Sequence, residues 1–88
     1  MGKVNALLKV NVHDVETDFD ELIEAIQSTI PSTATVNDTD TEEVAFGLKA
    51  LMVLVEIPDE EGGTEKLESA IGSIDAVKSI TVENVDRV

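Results

Sequence analysis

The segment Val44–Ile57, VAFGLKALMVLVEI, constrains the fold more than any other part of this chain. Its second half, Leu48–Ile57, is apolar at every position except Lys49 and Glu56. A strand with one wet face alternates apolar and polar residues, so this run predicts a strand that is covered on both faces. We expect the helices of the chain to cover one face. The second apolar face is a first indication of a binding partner.

Two elements are predicted before this run. Lys3–Val12 alternates between apolar and polar residues and is typical of a half-buried strand, with Leu7 as an apolar exception on the polar face. Asp18, followed by Glu21 three residues later, forms a capping-box pattern at the start of a helix. Apolar residues then recur at helical spacing until Pro31 ends the helix.

The remaining segments complete the pattern. Ser32–Asp38 is rich in β-branched residues and predicts a short strand, and Thr39–Glu43 is expected to be an acidic loop. After the Gly62-Gly63 turn, Thr64 is expected to cap a second helix. Val77–Val85 alternates again and predicts the last strand, beyond which the chain end is expected to fray.

The resulting order is strand-helix-strand, repeated once, which is the ferredoxin-like βαββαβ pattern of the α+β class. It predicts a four-stranded antiparallel sheet with both helices on one face and with the first and third strands in the centre. Residues 1–88 are expected to be one domain. The face away from the helices would carry Leu7, Lys9 and an apolar row of the third strand. Because exposed apolar patches on small domains mark interaction sites, we expect partner binding there.

The charge excludes several functions. The chain has 19 acidic residues against 6 Lys and Arg, which gives a net charge of −13. This excess is typical of proteins in a high-salt cytoplasm, where salt screens self-repulsion. It argues against direct nucleic-acid binding, because phosphates would be repelled.

The N-terminus lacks a signal-peptide pattern and the apolar run is about half the length of a membrane span, so we expect a soluble, cytoplasmic protein.

No catalytic or metal-binding set is predicted. His13 is the only histidine and lies in a predicted loop, and the chain has no cysteine. The spacing Asp38-x-Asp40-x-Glu42 resembles the start of a calcium-binding loop, but later positions of that motif are occupied by the wrong residues. We therefore predict an interaction domain without catalytic residues, cofactor or metal. Phe46, next to Gly47, is either a partner contact or an aromatic plug in the core.

The segments AFGLKAL and DEEGGTEKLE, at this spacing after a strand like KVNALLKVNV, resemble the exchange-domain family of elongation factor 1-beta, both archaeal and eukaryotic. The resemblance covers the whole chain. It implies a guanine-nucleotide exchange factor for the GTPase elongation factor 1-alpha. It also implies that the FG element and the C-terminal end contact this partner. In this sequence those roles would fall on Phe46 and Arg87. Gly47 and Lys49, beside Phe46, and Val88, after Arg87, are also expected to contact the partner.

The eukaryotic family has a lysine where this chain has Arg87, and that basic residue is implied to disturb the magnesium and phosphate-loop region of the partner. A planar guanidinium is not equivalent to a compact ammonium group. The arginine in place of lysine therefore bears on how the magnesium site would be disturbed more than on whether elongation factor 1-alpha is the partner. The alternative interpretation is a ferredoxin-like regulatory module that binds a small ligand or dimerises through its sheet. For the exchange factor we expect a chain that is monomeric on its own.

Overall fold

The computed structural model describes residues 2–14, 16–44, 48–59 and 62–87. Its elements follow the predicted βαββαβ order, and the four strands form one antiparallel sheet in the order β2-β3-β1-β4. The first and third strands are therefore central, as the sequence predicts. The bounds of the elements are β1 Lys3–Val12, α1 Phe19–Thr29, β2 Thr35–Glu43, β3 Lys49–Pro58, α2 Gly63–Gly72 and β4 Val77–Arg87.

The core lies between one face of this sheet and both helices. The helices contribute one buried pair each, Leu22 with Ile26 from α1 and Leu67 with Ile71 from α2. The central strands contribute alternate residues, as expected from the period of two in a strand. The core residues of these two strands are Val4, Ala6, Leu8, Val10 and Val12 of β1, and Leu51, Val53, Val55 and Ile57 of β3.

The start of α1 confirms the predicted cap. The Asp18 side chain accepts hydrogen bonds from the backbone N–H groups of Asp20, at 2.9 Å, and Glu21, at 3.4 Å. These N–H groups lie in the first turn and have no partner within the helix, so the carboxylate stabilises the helix start. At the other end, Ile30 is the C-cap residue directly before Pro31.

The start of α2 differs from the prediction. Gly62, not Thr64, is the N-cap residue, and no side chain caps this helix. Gly62 has φ of 77°, a left-handed conformation that glycine adopts without the steric cost of a Cβ atom. The chain can therefore turn directly into the helix at Gly63, which places Thr64 inside the first turn.

The acidic segment Thr39–Glu43 is not a loop, which corrects the sequence prediction. It is the second half of β2, which begins at Thr35 and pairs with β3 as far as Glu43 opposite Lys49. The low hydrophobicity of the segment favoured a loop, but pairing with β3 satisfies the hydrogen-bonding groups of its backbone. Because β2 is an edge strand, its carboxylates remain in water and also oppose pairing with another sheet.

The last strand is also longer than predicted. β4 continues through Asp86 and Arg87, which pair with Asn5 and Val4 of β1. The expectation that these two residues fray is therefore wrong for their backbone. Their side chains are solvent-exposed, which explains why the hydrophobic pattern ends at Val85 while the strand continues.

Candidate partner-binding surface

The face of the sheet opposite the helices, here called the open face, carries the residues of the central strands that do not enter the core. Cross-strand pairing places Leu7 opposite Leu54 and Lys9 opposite Met52. Leu7, Met52 and Leu54 are only half-buried, so one row of the long apolar run is not covered as fully as the core row. The predicted second apolar face is therefore present, and its half-buried residues lie where a partner can reach them. The members of the open face are Asn5, Leu7, Lys9 and Asn11 of β1, and Ala50, Met52, Leu54 and Glu56 of β3.

A cavity of about 290 Å³ lies between the apolar row and the edge strand β2. Asp38 and Asp40 border it, because they pair with Leu54 and Met52 and so share their face. Each carboxylate accepts a hydrogen bond from the next backbone N–H, at 2.9 Å from Thr39 and 2.8 Å from Thr41. The open face is thus apolar in the middle and acidic along β2.

The opposite border, on β4, is mostly neutral and polar. Asn84 lies opposite Leu7, and Thr81 lies opposite Lys9. At the far end, Asn11 Nδ2 donates a hydrogen bond of 3.1 Å to Ser79 Oγ. Lys9 therefore lies between its cross-strand partners Met52 and Thr81, in the centre of the open face.

The predicted basic contact residues occupy opposite ends of the sheet. Lys49 begins β3 next to the end of β1, and Arg87 pairs with Val4 at the start of β1. The register places seven residues of β1 between these positions, which is eight residue steps or roughly 27 Å at the rise of an antiparallel strand. Lys49 and Arg87 therefore cannot act on one small group together, although one large partner can contact both.

The Lys49 end has a second cation. A cavity of about 190 Å³ there is lined by Lys49 and Lys78, with Val44 and Leu48 on the same side. Phe46 and Gly47 lie in the connection between β2 and β3, outside the described residues. The two interpretations of Phe46, partner contact and core plug, remain predictions.

At the other end, the guanidinium of Arg87 lies 3.6 Å from the Asp59 carboxylate, measured from Nη1 to Oδ2. The Arg87 side chain is 85% exposed. Val88 lies outside the described residues. A second ion pair, Lys3 with Glu56 at 3.3 Å, lies on the open face near the same end. Sequence reasoning missed Asp59, because nothing in a linear pattern pairs the end of β3 with the end of β4.

The described residues contain no arrangement suited to catalysis or metal binding. His13 is exposed in the turn after β1, and in the described ranges no three His, Asp or Glu side chains are placed to hold a metal ion. The Asp38-x-Asp40-x-Glu42 spacing lies on a strand, not on a calcium-binding loop. Among the described helices, none is long and apolar enough to cross a membrane.

Comparison with known proteins identifies the family of the chain. Residues 5–88 match the family described as the EF-1 guanine nucleotide exchange domain. The chain is 48% identical over 88 residues to elongation factor 1-beta of Halobacterium salinarum, and 100% of each chain is covered. Elongation factor 1-beta of Natronomonas pharaonis is 44% identical over 88 residues, again with 100% of both chains covered. That of Staphylothermus marinus is 42% identical over 89 residues, covering 100% of this chain and 99% of the relative. The similar proteins come mostly from halophilic archaea, as the acidic composition predicts.

Proposed function

Since this chain belongs to the family of EF-1 guanine nucleotide exchange domains, we propose that it promotes GDP release from the GTPase elongation factor 1-alpha. Residues 1–88 would act as one exchange domain, in the cytoplasm, during translation elongation. The protein forms and breaks no covalent bond in this role. It acts on the affinity of its partner for the nucleotide.

The observation that carries this proposal is the position of Arg87. It is the only arginine of the chain, and an ordered strand presents it at one end of the sheet with most of its side chain in solvent. A GTPase holds its nucleotide through phosphate-loop amides, a lysine and Mg²⁺. A guanidinium forms strong charge-assisted hydrogen bonds with phosphate and carboxylate groups, so it can compete with Mg²⁺ for those ligands.

The open face supplies the affinity in this proposal. A partner that contacts both the Lys49 end and the Arg87 end spans at least the ~27 Å between them. Leu7 and Lys9 lie between these two ends on the open face, whereas Arg87 pairs with the core residue Val4 and leaves its strand on the helix side. The partner would therefore contact the open face and reach around the end of the sheet to Arg87. Phe46 and Gly47 would extend the contact at the Lys49 end, and Val88 at the other.

The energetic requirement is modest. A protein that binds the nucleotide-free GTPase better than the loaded GTPase weakens nucleotide binding by the same factor, because binding free energies are linked. A ~1000-fold faster release requires the barrier to fall by ~4 kcal/mol. Loss of the Mg²⁺ bridge is of sufficient size for this, since metal ions neutralise much of the phosphate charge.

The deciding experiment measures release of a fluorescent GDP analogue from purified elongation factor 1-alpha in concentrated KCl. We expect sub-stoichiometric amounts of this chain to accelerate release. No acceleration would reject the proposal. The alternative, a regulatory module that dimerises through its sheet, predicts a concentration-dependent dimer by light scattering and no effect on the GTPase.

A further inference from the structure

We infer that Asp59 is a positioning residue for Arg87: it orients the guanidinium at the end of the sheet, so that one edge remains available for an anionic group of the partner. This inference rests on the proposed exchange function, and it adds a residue to it. The contact itself exists in the chain without any partner. It can therefore be tested with and without the GTPase.

The contact joins two strands that are not neighbours. Asp59 follows the end of β3, and Arg87 ends β4, with β1 lying between these two strands. Two strand spacings amount to roughly 10 Å, which the long arginine side chain crosses to bring Nη1 within 3.6 Å of Asp59 Oδ2. The side chain therefore lies over the start of β1 when this pair is formed.

The backbone holds Asp59 in place. Its N–H group donates a hydrogen bond of 2.9 Å to the carbonyl oxygen of Gly2, which extends the pairing of β1 and β3 by one step. Its side chain is 38% exposed, compared with 85% for Arg87. Asp59 is thus the better-fixed member of the pair, and the arginine is the member that gains orientation.

The nearest carboxylate in the sequence, Asp86, is engaged elsewhere. Its Oδ2 accepts a hydrogen bond of 2.7 Å from Asn84 Nδ2. Adjacent residues of a strand point to opposite faces, so Asp86 and Arg87 diverge. The tertiary structure, not the neighbouring residue, therefore selects the anion that Arg87 contacts.

The chemistry of arginine makes such a contact compatible with a second anion. A guanidinium carries five N–H donors in a rigid plane, and the 3.6 Å contact with Asp59 is made by its Nη1 atom. The edge formed by Nε and Nη2 is left for a phosphate or carboxylate of the GTPase. Because the plane is rigid, fixing one side of it also fixes the direction of the other.

The expected effect is moderate, because exposed ion pairs are weak. Such a pair biases an orientation by up to about five-fold, and less at high salt. Asp59 is therefore not needed for the fold. It should change how often Arg87 is correctly placed, which appears in the rate within the complex and not in the affinity for the partner.

The partner-free test uses the side-chain NMR signal of Arg87. Since Arg87 is the only arginine, its Nε–H group gives a single resonance in the ¹H–¹⁵N spectrum. We expect Asp59→Asn to shift this resonance and the control Asp75→Asn to leave it unchanged. Asp75 is an exposed aspartate at the opposite end of the sheet, two residues before β4, so the control removes the same charge. An unshifted resonance in Asp59→Asn would overturn the contact.

The kinetic test measures GDP release from elongation factor 1-alpha as a function of exchange-factor concentration. Asp59→Asn should lower the saturating rate about two- to five-fold and leave the half-saturating concentration unchanged. Asp75→Asn should match the parent, and Asp59→Glu should recover at least half of the lost rate because it keeps the charge. In an Arg87→Ala background, Asp59→Asn should have no further effect. If Asp59→Asn unfolds, the test uses Asp59→Glu instead. The positioning role then requires that Asp59→Glu releases GDP faster than Asp59→Glu combined with Arg87→Ala.

The outcomes separate the two proposals. The positioning role is wrong, while the proposed function stands, if Arg87→Ala slows exchange but Asp59→Asn does not. The same conclusion follows if Asp59→Asn accelerates exchange. An equal loss of rate with and without Arg87 also overturns it. If the parent chain does not accelerate release, the proposed function fails, and the NMR result alone then decides whether the contact exists.

Discussion

Leu7 and Leu54 are direct cross-strand partners on the two central strands, and both side chains lie on the open face, not in the core. Cross-strand neighbours at this spacing pack against each other, so they form a small apolar patch in an otherwise acidic protein. The next residue, Leu8, points the other way and is fully buried. The same strand therefore contributes one leucine to folding and another to the surface.

We predict that the two leucines separate stability from partner binding. Leu8→Ala should lower the free energy of unfolding by about 2–5 kcal/mol, because it leaves a cavity in the core. Leu7→Ala should cost far less and should instead raise the half-saturating concentration for nucleotide exchange. Urea unfolding and exchange titrations measure these quantities. The interpretation of the open face is wrong if Leu7→Ala binds the GTPase as the parent does.

We predict that stability rises steeply with salt. A net charge of −13 on 88 residues opposes the compact state, and its repulsion acts over about 10 Å at 0.1 M salt but about 3 Å at 1 M. Thermal unfolding in KCl, followed by circular dichroism, should show this as a rising midpoint. The variant Asp38→Asn/Asp40→Asn/Glu42→Gln should show a weaker dependence, since it removes three neighbouring charges of β2. A flat midpoint in the parent would contradict the halophilic interpretation.

Periodicity predicted β1 and α1, because burial in these elements follows the sequence pattern, and the continuous apolar run predicted β3. Periodicity failed for the second half of β2 and the end of β4, where backbone pairing with a central strand continues beyond the apolar residues. The first error hid the fact that Asp40 lies on the same strand and face as Asp38, although their spacing of two residues was the available signal. The Asp59–Arg87 contact depends on tertiary placement, so no local pattern contains it.

We predict that the cap of α1 is worth about 0.5–2 kcal/mol of unfolding free energy. Asp18→Ala should show this loss, because the N–H groups of Asp20 and Glu21 would lose their acceptor. Asp18→Asn is the matched control, since asparagine caps equally well without the charge. If both variants lose the same amount, charge and not capping explains the effect. Denaturant unfolding at fixed KCl measures the difference.

We predict that Phe46 acts on the partner more than on the core. Phe46→Ala should slow exchange while costing well below the ~3–5 kcal/mol typical of deleting a buried phenylalanine. Phe19, which packs partly buried against the core, provides the comparison, because Phe19→Ala should destabilise more and affect exchange less. An unfolded Phe46→Ala chain would favour the core-plug interpretation, and a fully active one would make Phe46 a bystander.

The last prediction concerns Arg87. Its backbone is held by pairing with Val4 and its side chain contributes little to the core, so Arg87→Ala should leave the unfolding midpoint nearly unchanged. The maximal rate of GDP release should fall by about an order of magnitude or more, equivalent to at least ~1.4 kcal/mol of barrier, while complex formation weakens less. Arg87→Lys should retain much of the activity, because a point charge still competes with Mg²⁺. Lys78→Ala is the comparison, since it removes a cation from the Lys49 end of the sheet and should weaken complex formation without lowering the maximal rate. If Arg87→Ala keeps the maximal rate of the parent, release must depend on the open face and the Lys49 end instead.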